Sequence, residues 1–223
     1  KNNLDKVFSE NHVGGRIAQI DKKHILLSIG DYGVRYLAQE KDSVFGKIIK
    51  INIKDSNFKI VSIGHRNPQG MYFDQQNDFI LISEHGPTGG DEINMIKLDD
   101  VYEKKDLNFG WPIISYGEIS YENEELEKKY LTKKKNKTGN FIRPLITFSP
   151  AVAPSQITKT HDNKFVLATM RDKSIILFNI ENNEILNLEK IKIMERVRDL
   201  AFHDNKLYLF LENTNSIGTI NFN

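Results

Sequence analysis

The chain contains no cysteine, which removes disulfides, thiolate nucleophiles and cysteine-ligated zinc or iron–sulfur centres together. It has no run of about 18 apolar residues, so no stretch reads as a membrane span. Nor is there a surplus of either charge. Its 31 Lys and Arg stand against 30 Asp and Glu, a formal net charge of +1, whereas binding nucleic acid by bulk electrostatics needs a clear basic excess on one face. The Lys-rich stretch Lys128 to Lys137 directly follows Glu122, Glu124, Glu125 and Glu127, and reads as a solvated surface segment. The chain begins Lys-Asn-Asn, without Met, an apolar core or a cleavage signature, and is therefore expected to be a processed protein or a fragment. What it does have is 223 residues with 39% hydrophobic content, enough for a substantial folded core.

Four internal segments line up: RIAQIDKKHILLSIGD from Arg16, GMYFDQQNDFILISEH from Gly70, SQITKTHDNKFVLATMRD from Ser155 and RDLAFHDNKLYLFLEN from Arg198. Each reads as a short strand, a turn rich in Asp, Asn and Lys, and a second run dense in Ile, Leu, Val and Phe, which is a β-hairpin. The second runs, Ile25 to Ile29, Phe79 to Ile82, Phe165 to Thr169 and Leu207 to Leu211, are apolar at nearly every residue, as in strands covered on both faces. Further strands follow at Lys47 to Ile53, Ser174 to Ile180 and Ile217 to Phe222. The expected fold is all-β. Repeat starts at 16, 70, 155 and 198 are 54, 85 and 43 residues apart, and units of about 40 to 50 residues point to the blades of a β-propeller once residues 99–141 are treated as an insertion in the long middle gap. A β-sandwich with irregular hairpins is the competing architecture, because alternation and turns alone do not separate the two. The segment Tyr121 to Lys135 has the composition of a short helix.

In an antiparallel hairpin the chain entering the first strand and the chain leaving the second lie at one end. If the hairpins are inner strands of blades, one rim collects His12, Asp31, Arg66, Asn67, His85, Arg171, Arg196 and Arg198. An imidazole, a carboxylate and several guanidiniums on one mouth suit an anionic ligand. Arg196 and Arg198, two apart on a strand, share a face, and as structural groups would pair with Glu195 or Asp199. The segment EHGPTGGDEIN, from Glu84 to Asn94, forces an irregular loop with free carbonyls beside Asp91 and Glu92, a donor set that hard cations such as calcium accept; an ordinary Gly-Pro turn is the alternative.

The blocks NHVGGRI, IGDYG, GHRNPQG, EHGPTGGDEIN, NFGWP, PAVAPS and RVRD occur in one order from Asn11 onward. In this the chain resembles the soluble, pyrroloquinoline-quinone-dependent sugar dehydrogenases of the glucose/sorbosone and aldose-sugar group. The resemblance implies a single six-bladed propeller domain, of which residues 1–223 cover roughly the last four blades. It implies pyrroloquinoline quinone (PQQ) and Ca2+ as cofactors, an aldose sugar as substrate, oxidation of its anomeric hydroxyl to the lactone, an external electron acceptor, and a periplasmic or secreted location. Carried over by position, His12 is the general base, Asp31 its orienting carboxylate, and Arg66 the holder of the quinone oxyanion. Asn67, Gln69, Arg171, Arg196 and Arg198 help bind the cofactor. The Gly86 and Pro87 carbonyls hold the cofactor's calcium, and Glu92 resembles a ligand of a second, structural calcium.

Three departures accompany the resemblance. Arg171 stands where the family usually has Lys, and Ser149 where an aromatic residue often precedes the PAVAPS block. The family also carries about a further third of chain before the His motif, including early blades that close the ring, so these 223 residues alone are expected to be inactive as an isolated fragment. A propeller that binds carbohydrate or protein without redox chemistry is the alternative function.

Overall fold

Three apolar clusters, each shared by two neighbouring sheets, set the architecture. In this computed structural model, which describes residues 8–222 except 88, 104, 117–132 and 135–139, the first sheet contains β1 (Gly14–Gln19), β2 (His24–Ile29), β3 (Lys47–Asn52) and β4 (Phe58–Ile63). The second contains β5 (Pro68–Asp74), β6 (Phe79–Glu84) and β7 (Asp91–Lys97). After the short helix α1 (Leu98–Tyr102), β8 (Leu107–Asn108) runs parallel to β4 as a fifth strand of the first sheet. β9 (Ile114–Ser115) and β10 (Lys133–Lys134) form a small parallel pair, and β11 (Ile146–Phe148) completes the second sheet beside β7. The third sheet is β12 (Pro154–Lys159), β13 (Phe165–Thr169), β14 (Ser174–Glu181) and β15 (Glu184–Lys192); the fourth is β16 (Val197–His203), β17 (Lys206–Leu211) and β18 (Ser216–Asn221).

The leading strands pack in succession, β1 on β5, β5 on β12 and β12 on β16, which is a propeller-like arrangement of sheets around their inner strands. Successive residues of a strand face opposite ways, and the clusters show it. Ile80 and Ile82 pack toward Leu26, Ile48 and Val61 of the first sheet, whereas Leu81 between them packs toward Ile157, Leu167 and Phe178 of the third. Val166 and Ala168 in turn meet Val197, Leu200, Leu207 and Leu209 of the fourth. This double coverage is why β6 and β13 are continuously apolar rather than alternating; β17, read as covered on both faces, buries only Leu207 and Leu209 and leaves Phe210 exposed, because no further described sheet packs on its other side. Turn chemistry is equally local: Asn182 and Asn183, and Asp204 and Asn205, hold φ of 52°, 64°, 48° and 57° between the end pairs Glu181 with Glu184 and His203 with Lys206. Two such left-handed residues match the strand twist of a tight hairpin.

The stretch 99–141, read as an insertion, falls between β7 and β11 of the second sheet, and its described part also contributes β8 to the first. The segment Tyr121 to Lys135 read as a short helix lies outside the described residues, except Lys133–Lys134, which are β-strand. The same holds for the Lys128 to Lys137 surface stretch. No helix among the described residues is long and apolar enough to cross a membrane.

Candidate active site

The ladders bring the rim segments together as antiparallel pairing requires. Gly14 pairs with Ile29, Pro68 with Glu84, Pro154 with Thr169 and Val197 with Leu211, so the entry to each first strand adjoins the exit from each second. Every one of these hairpins also shifts register at that same end: between Gly14 and Ile17, Pro68 and Gly70, Pro154 and Ile157, and Val197 and Asp199. A bulge frees a residue from the ladder and re-aims its side chain. The intervals hold Arg16, Gln69, Gln156 and Arg198, a long polar side chain at the equivalent place in each of the four repeats.

His12 sits at the centre of the best-defined group. Its backbone is left-handed, φ 58°, a strained conformation for a residue other than glycine and one that clusters at functional sites. Two contacts from the IGDYG block secure it: the Tyr32 N–H donates to the His12 carbonyl at 3.2 Å, and the Gly30 N–H to Val13 O at 3.0 Å. Gly30 is required there, because a Cβ would run into the His12 carbonyl. The imidazole Nδ1 lies 3.1 Å from Asp31 Oδ1. Asp31 has no exposure, and it also accepts the Gly33 N–H at 2.8 Å and the Trp111 indole N–H at 2.8 Å. On the other side, Arg66 Nη2 approaches His12 Nε2 at 2.9 Å. A guanidinium only donates and a carboxylate only accepts, so Nδ1 carries the proton and the Nε2 lone pair accepts from Arg66 Nη2.

Arg66 also donates from Nη1 to the carbonyls of Gly86 at 2.8 Å and His85 at 3.1 Å, and Trp111 lies under its guanidinium, 5.5 Å from the ring centre. Its Nε is buried without a hydrogen-bond partner among the described residues. Burial pushes this guanidinium down, with Asp31, Glu84 and Asp91 opposing and Arg35 reinforcing the shift. A buried, unpartnered N–H beside an imidazole lone pair suits an anionic oxygen of a ligand. Asn67 is buried and its Oδ1 accepts from the Gly14 N–H at 3.2 Å and from Gln69 Nε2 at 2.9 Å. His85 donates from Nε2 to Pro154 O at 2.7 Å, and burial pushes its imidazole below the usual histidine range.

The loop after β6 has the donors a hard cation uses, but not all of them are free. The Gly86 carbonyl already faces the Arg66 cation, and Pro87 O accepts the Gly90 N–H at 2.9 Å. Asp91 shapes the loop by accepting three main-chain N–H groups, from Gly86 at 3.1 Å, Val152 at 2.8 Å and Ala153 at 2.7 Å. Glu92 is pushed up to about 8 by burial and by the nearby Glu84 and Asp91, against a hydrogen bond from Asn94. Among the described residues no three His, Asp or Glu side chains form a metal-holding group.

The late arginines behave differently from expectation. Arg196 Nε and Arg198 Nη2 bind the two oxygens of Glu212, at 2.7 and 2.8 Å, rather than Glu195 or Asp199. The reason is cross-strand geometry: Glu212 follows β17, opposite the entry to β16, whereas Glu195 receives Thr214 and Asp199 receives Arg16. Arg196 Nη2 lies 3.7 Å from Met170 Sδ, which puts it beside the loop that carries the exposed Arg171. No hydrogen bond or ion pair among the described residues joins Arg171, Arg196 or Arg198 to the group around His12. A cavity of about 980 Å³ lies elsewhere, between Lys50, Phe58, Tyr102 and Phe141, and contains none of these residues.

Trp111, Glu84 and His65 were not anticipated as site residues. All three lie inside the quoted blocks, NFGWP, EHGPTGGDEIN and GHRNPQG, and that placement is the only signal; Trp111 meets Asp31 across 80 residues, and Glu84 meets His65 and Arg66 across 19 and 18.

The model of the family described as Glucose / Sorbosone dehydrogenase matches residues 2–220. The chain belongs to the glucose/sorbosone dehydrogenase family. Among curated proteins it is 26% identical to aldose sugar dehydrogenase YliI of Escherichia coli, over 94% of this chain and 59% of that protein. It is 30% identical to quinoprotein glucose dehydrogenase B of Acinetobacter calcoaceticus, over 48% of this chain and 27% of that protein. The soluble aldose sugar dehydrogenase of Escherichia coli in its apo form superposes with a TM-score of 0.75 at 24% identity, covering 92% of this chain and 62% of the other. The PQQ-bound aldose sugar dehydrogenase of Streptomyces coelicolor gives 0.70, covering 92% and 57%. These likenesses establish the propeller-like all-β fold, and the chain spans less than two thirds of the length of each of these relatives.

Proposed function

We propose that the protein is a quinoprotein dehydrogenase, oxidising the anomeric hydroxyl of an aldose to the lactone. The observation that carries this is His12 held between Asp31 and Arg66, with Nδ1 bonded to a fully buried carboxylate and Nε2 kept unprotonated, as the acceptor facing the Arg66 guanidinium. When bound, PQQ supplies the two-electron acceptor for the hydrogen leaving the sugar carbon as hydride. The residues of the chain manage the accompanying proton: His12 Nε2 takes it from the anomeric hydroxyl, the C–O bond becomes C=O, and Asp31 stabilises the imidazolium. Arg66, with its free buried Nε, holds ligand oxygen where negative charge grows. Asn67 and Gln69, tied together on β5, orient the ligand beside it, while Arg171, Arg196 and Arg198 supply cationic donors for its carboxylates. The Gly86 and Pro87 carbonyls, each already accepting one hydrogen bond and keeping a second lone pair, would hold a calcium ion that would supply Lewis-acid chemistry, with Glu92 serving a second cation.

The test uses the whole protein supplied with calcium and PQQ, an artificial electron acceptor and a panel of aldoses. His12→Ala is expected to lower kcat by about 10²- to 10⁴-fold, the ordinary worth of a general base, with the melting temperature unchanged. Wild-type protein that binds quinone but reduces no acceptor with any aldose, or a His12→Ala variant with full turnover, would sink the reading and favour a binding-only propeller.

A further inference from the structure

Behind Arg66 lies a buried chain of polar groups that the proposed chemistry does not use. His65 has no exposure, and its ring stacks at a tilt on Phe109, 4.8 Å between centroids. Its Nδ1 lies 2.9 Å from Glu84 Oε2, and its Nε2 lies 2.8 Å from the hydroxyl of Ser62, itself 1% exposed. Glu84, 4% exposed, spends its other oxygen on the main chain: Oε1 accepts the N–H of Arg66 and, at 3.2 Å, the N–H of Asn67. A carboxylate carried at the end of β6 thus fixes the backbone of two adjacent residues, Arg66 and Asn67, to which a ligand-binding role is assigned above.

A buried carboxylate is costly unless every lone pair is met. Here the imidazole meets one oxygen and two peptide N–H groups the other, so the cost is offset only while the GHRN segment keeps this backbone path. The link runs in both directions. Ser62 orients His65, His65 orients Glu84, and Glu84 sets Arg66 and Asn67, whose side chains reach His12 Nε2 and the Gly14 N–H.

We propose that Ser62, His65 and Glu84 form a positioning relay that holds Arg66 and Asn67 in register with His12. The serine has no access to solvent, so the triad acts by placing its neighbours rather than by attacking a substrate. The proposal rests on the function inferred above, because it assigns the relay to that reaction.

Two variants test it, Glu84→Gln and the milder Ser62→Ala, in the whole protein. Without cofactor, amide hydrogen exchange at Arg66 and Asn67 is expected to accelerate about tenfold, because a neutral amide oxygen or an unanchored carboxylate accepts from the two N–H groups less strongly than the oriented carboxylate, while Leu81 and Ile82 in β6 exchange at wild-type rates. With PQQ and calcium present, kcat is expected to fall about a hundredfold in Glu84→Gln, the scale of a 1 Å misplacement, and less in Ser62→Ala, with KM for the sugar unchanged. Protection lost evenly along β5 and β6, or unchanged kcat despite faster exchange at the two amides, overturns the proposal. Should Glu84→Gln fail to fold, Ser62→Ala decides by the same two readings. If wild-type protein oxidises no aldose at all, the functional reading falls separately, and the assignment of the relay to that reaction falls with it; the exchange data still report whether the triad fixes the two amides.

Discussion

Lys47 is the most unusual single residue outside the mouth. It opens β3 with no exposure, and its ammonium donates to the carbonyls of Leu37, Ala38 and Phe45 at 2.8, 2.9 and 2.8 Å. Three donors meet three acceptors, which pins the loop that begins at Asp31. Burial lowers this lysine to about 8, with Glu40 opposing. Below that pH the folded and unfolded chains both hold the proton. Between about 8 and 10.5 the unfolded chain holds more, so stability contributed through this site rises with pH across that window, by at most about 3 kcal/mol. Lys47→Met, which orphans three carbonyls, is expected to cost about 2 kcal/mol at pH 7 and to fall further behind wild type at pH 9 and 10 in urea unfolding. A gap that narrows with pH would show that the carbonyls hold the proton more tightly than burial expels it. Nothing in the sequence marks Lys47, since its three acceptors are main-chain atoms. His12, Asp31 and Arg66 were legible because each stands in a distinctive block, whereas Trp111 reaches Asp31 across 80 residues.

At the scale of elements, the sheets are joined by more than apolar packing. Asp74 at the end of β5 and Lys159 at the end of β12 meet at 2.7 Å with side chains only 3% and 8% exposed. Burial pushes the Asp74 carboxyl up, but Lys159 and Asn77 outweigh it and hold it below the usual range. Its contribution is therefore present at neutral pH and is lost as pH falls through that depressed value. Removing one partner leaves a buried charge, so Asp74→Leu or Lys159→Met alone is expected to destabilise by about 3–5 kcal/mol, while the two together recover most of the loss. Chemical denaturation of the two single variants and the double checks this; a double variant as weak as the sum of the singles would assign the cost to packing instead. The pair lies beside hairpin turns whose Asp and Asn residues did announce the strands. Outer strands announced themselves less well. β15 is exposed along most of its length and reads Glu184–Lys192 with charges on both faces, and β4 begins with the exposed Phe58 and Lys59, so neither shows the two-sided apolar run that revealed its inner neighbours.

The whole molecule is a succession of sheets, each covered by the next. The inner strands of the second and third sheets are apolar-covered on both sides, while the first and fourth sheets leave large apolar side chains in solvent, Ile17 at 57% and Phe58 at 52% on one, Phe210 at 40% and Ile217 at 60% on the other, as does the outer strand β15 of the third at Leu188. The repeat, and with it the propeller-like class, could be read from the chain because each repeat encodes the same hairpin. The relation between the first and last sheets could not, because it depends on a contact 183 residues apart: Arg16 Nη1 reaches both oxygens of Asp199 at 3.1 and 3.0 Å, and Arg16 Nε donates to Gln69 O. Two accounts of stability follow from this contact. If the molecule is a closed unit held by the bridge, cutting it should release the whole stack. If stability is instead the sum of neighbouring sheet interfaces, as in repeat architectures, the bridge contributes little, because its side chains are 23% and 37% exposed and such pairs are worth about 0.2–1 kcal/mol and are screened by salt. The second account is expected to hold. Asp199→Asn should change the free energy of unfolding by less than about 1 kcal/mol, and by less still in high salt. Leu167→Ala, at a fully buried site between the second and third sheets, should cost about 2–5 kcal/mol. Urea unfolding of both variants at low and high salt decides: a bridge variant as destabilised as the core variant would make the Arg16–Asp199 contact the closure of the fold rather than an ornament of its rim.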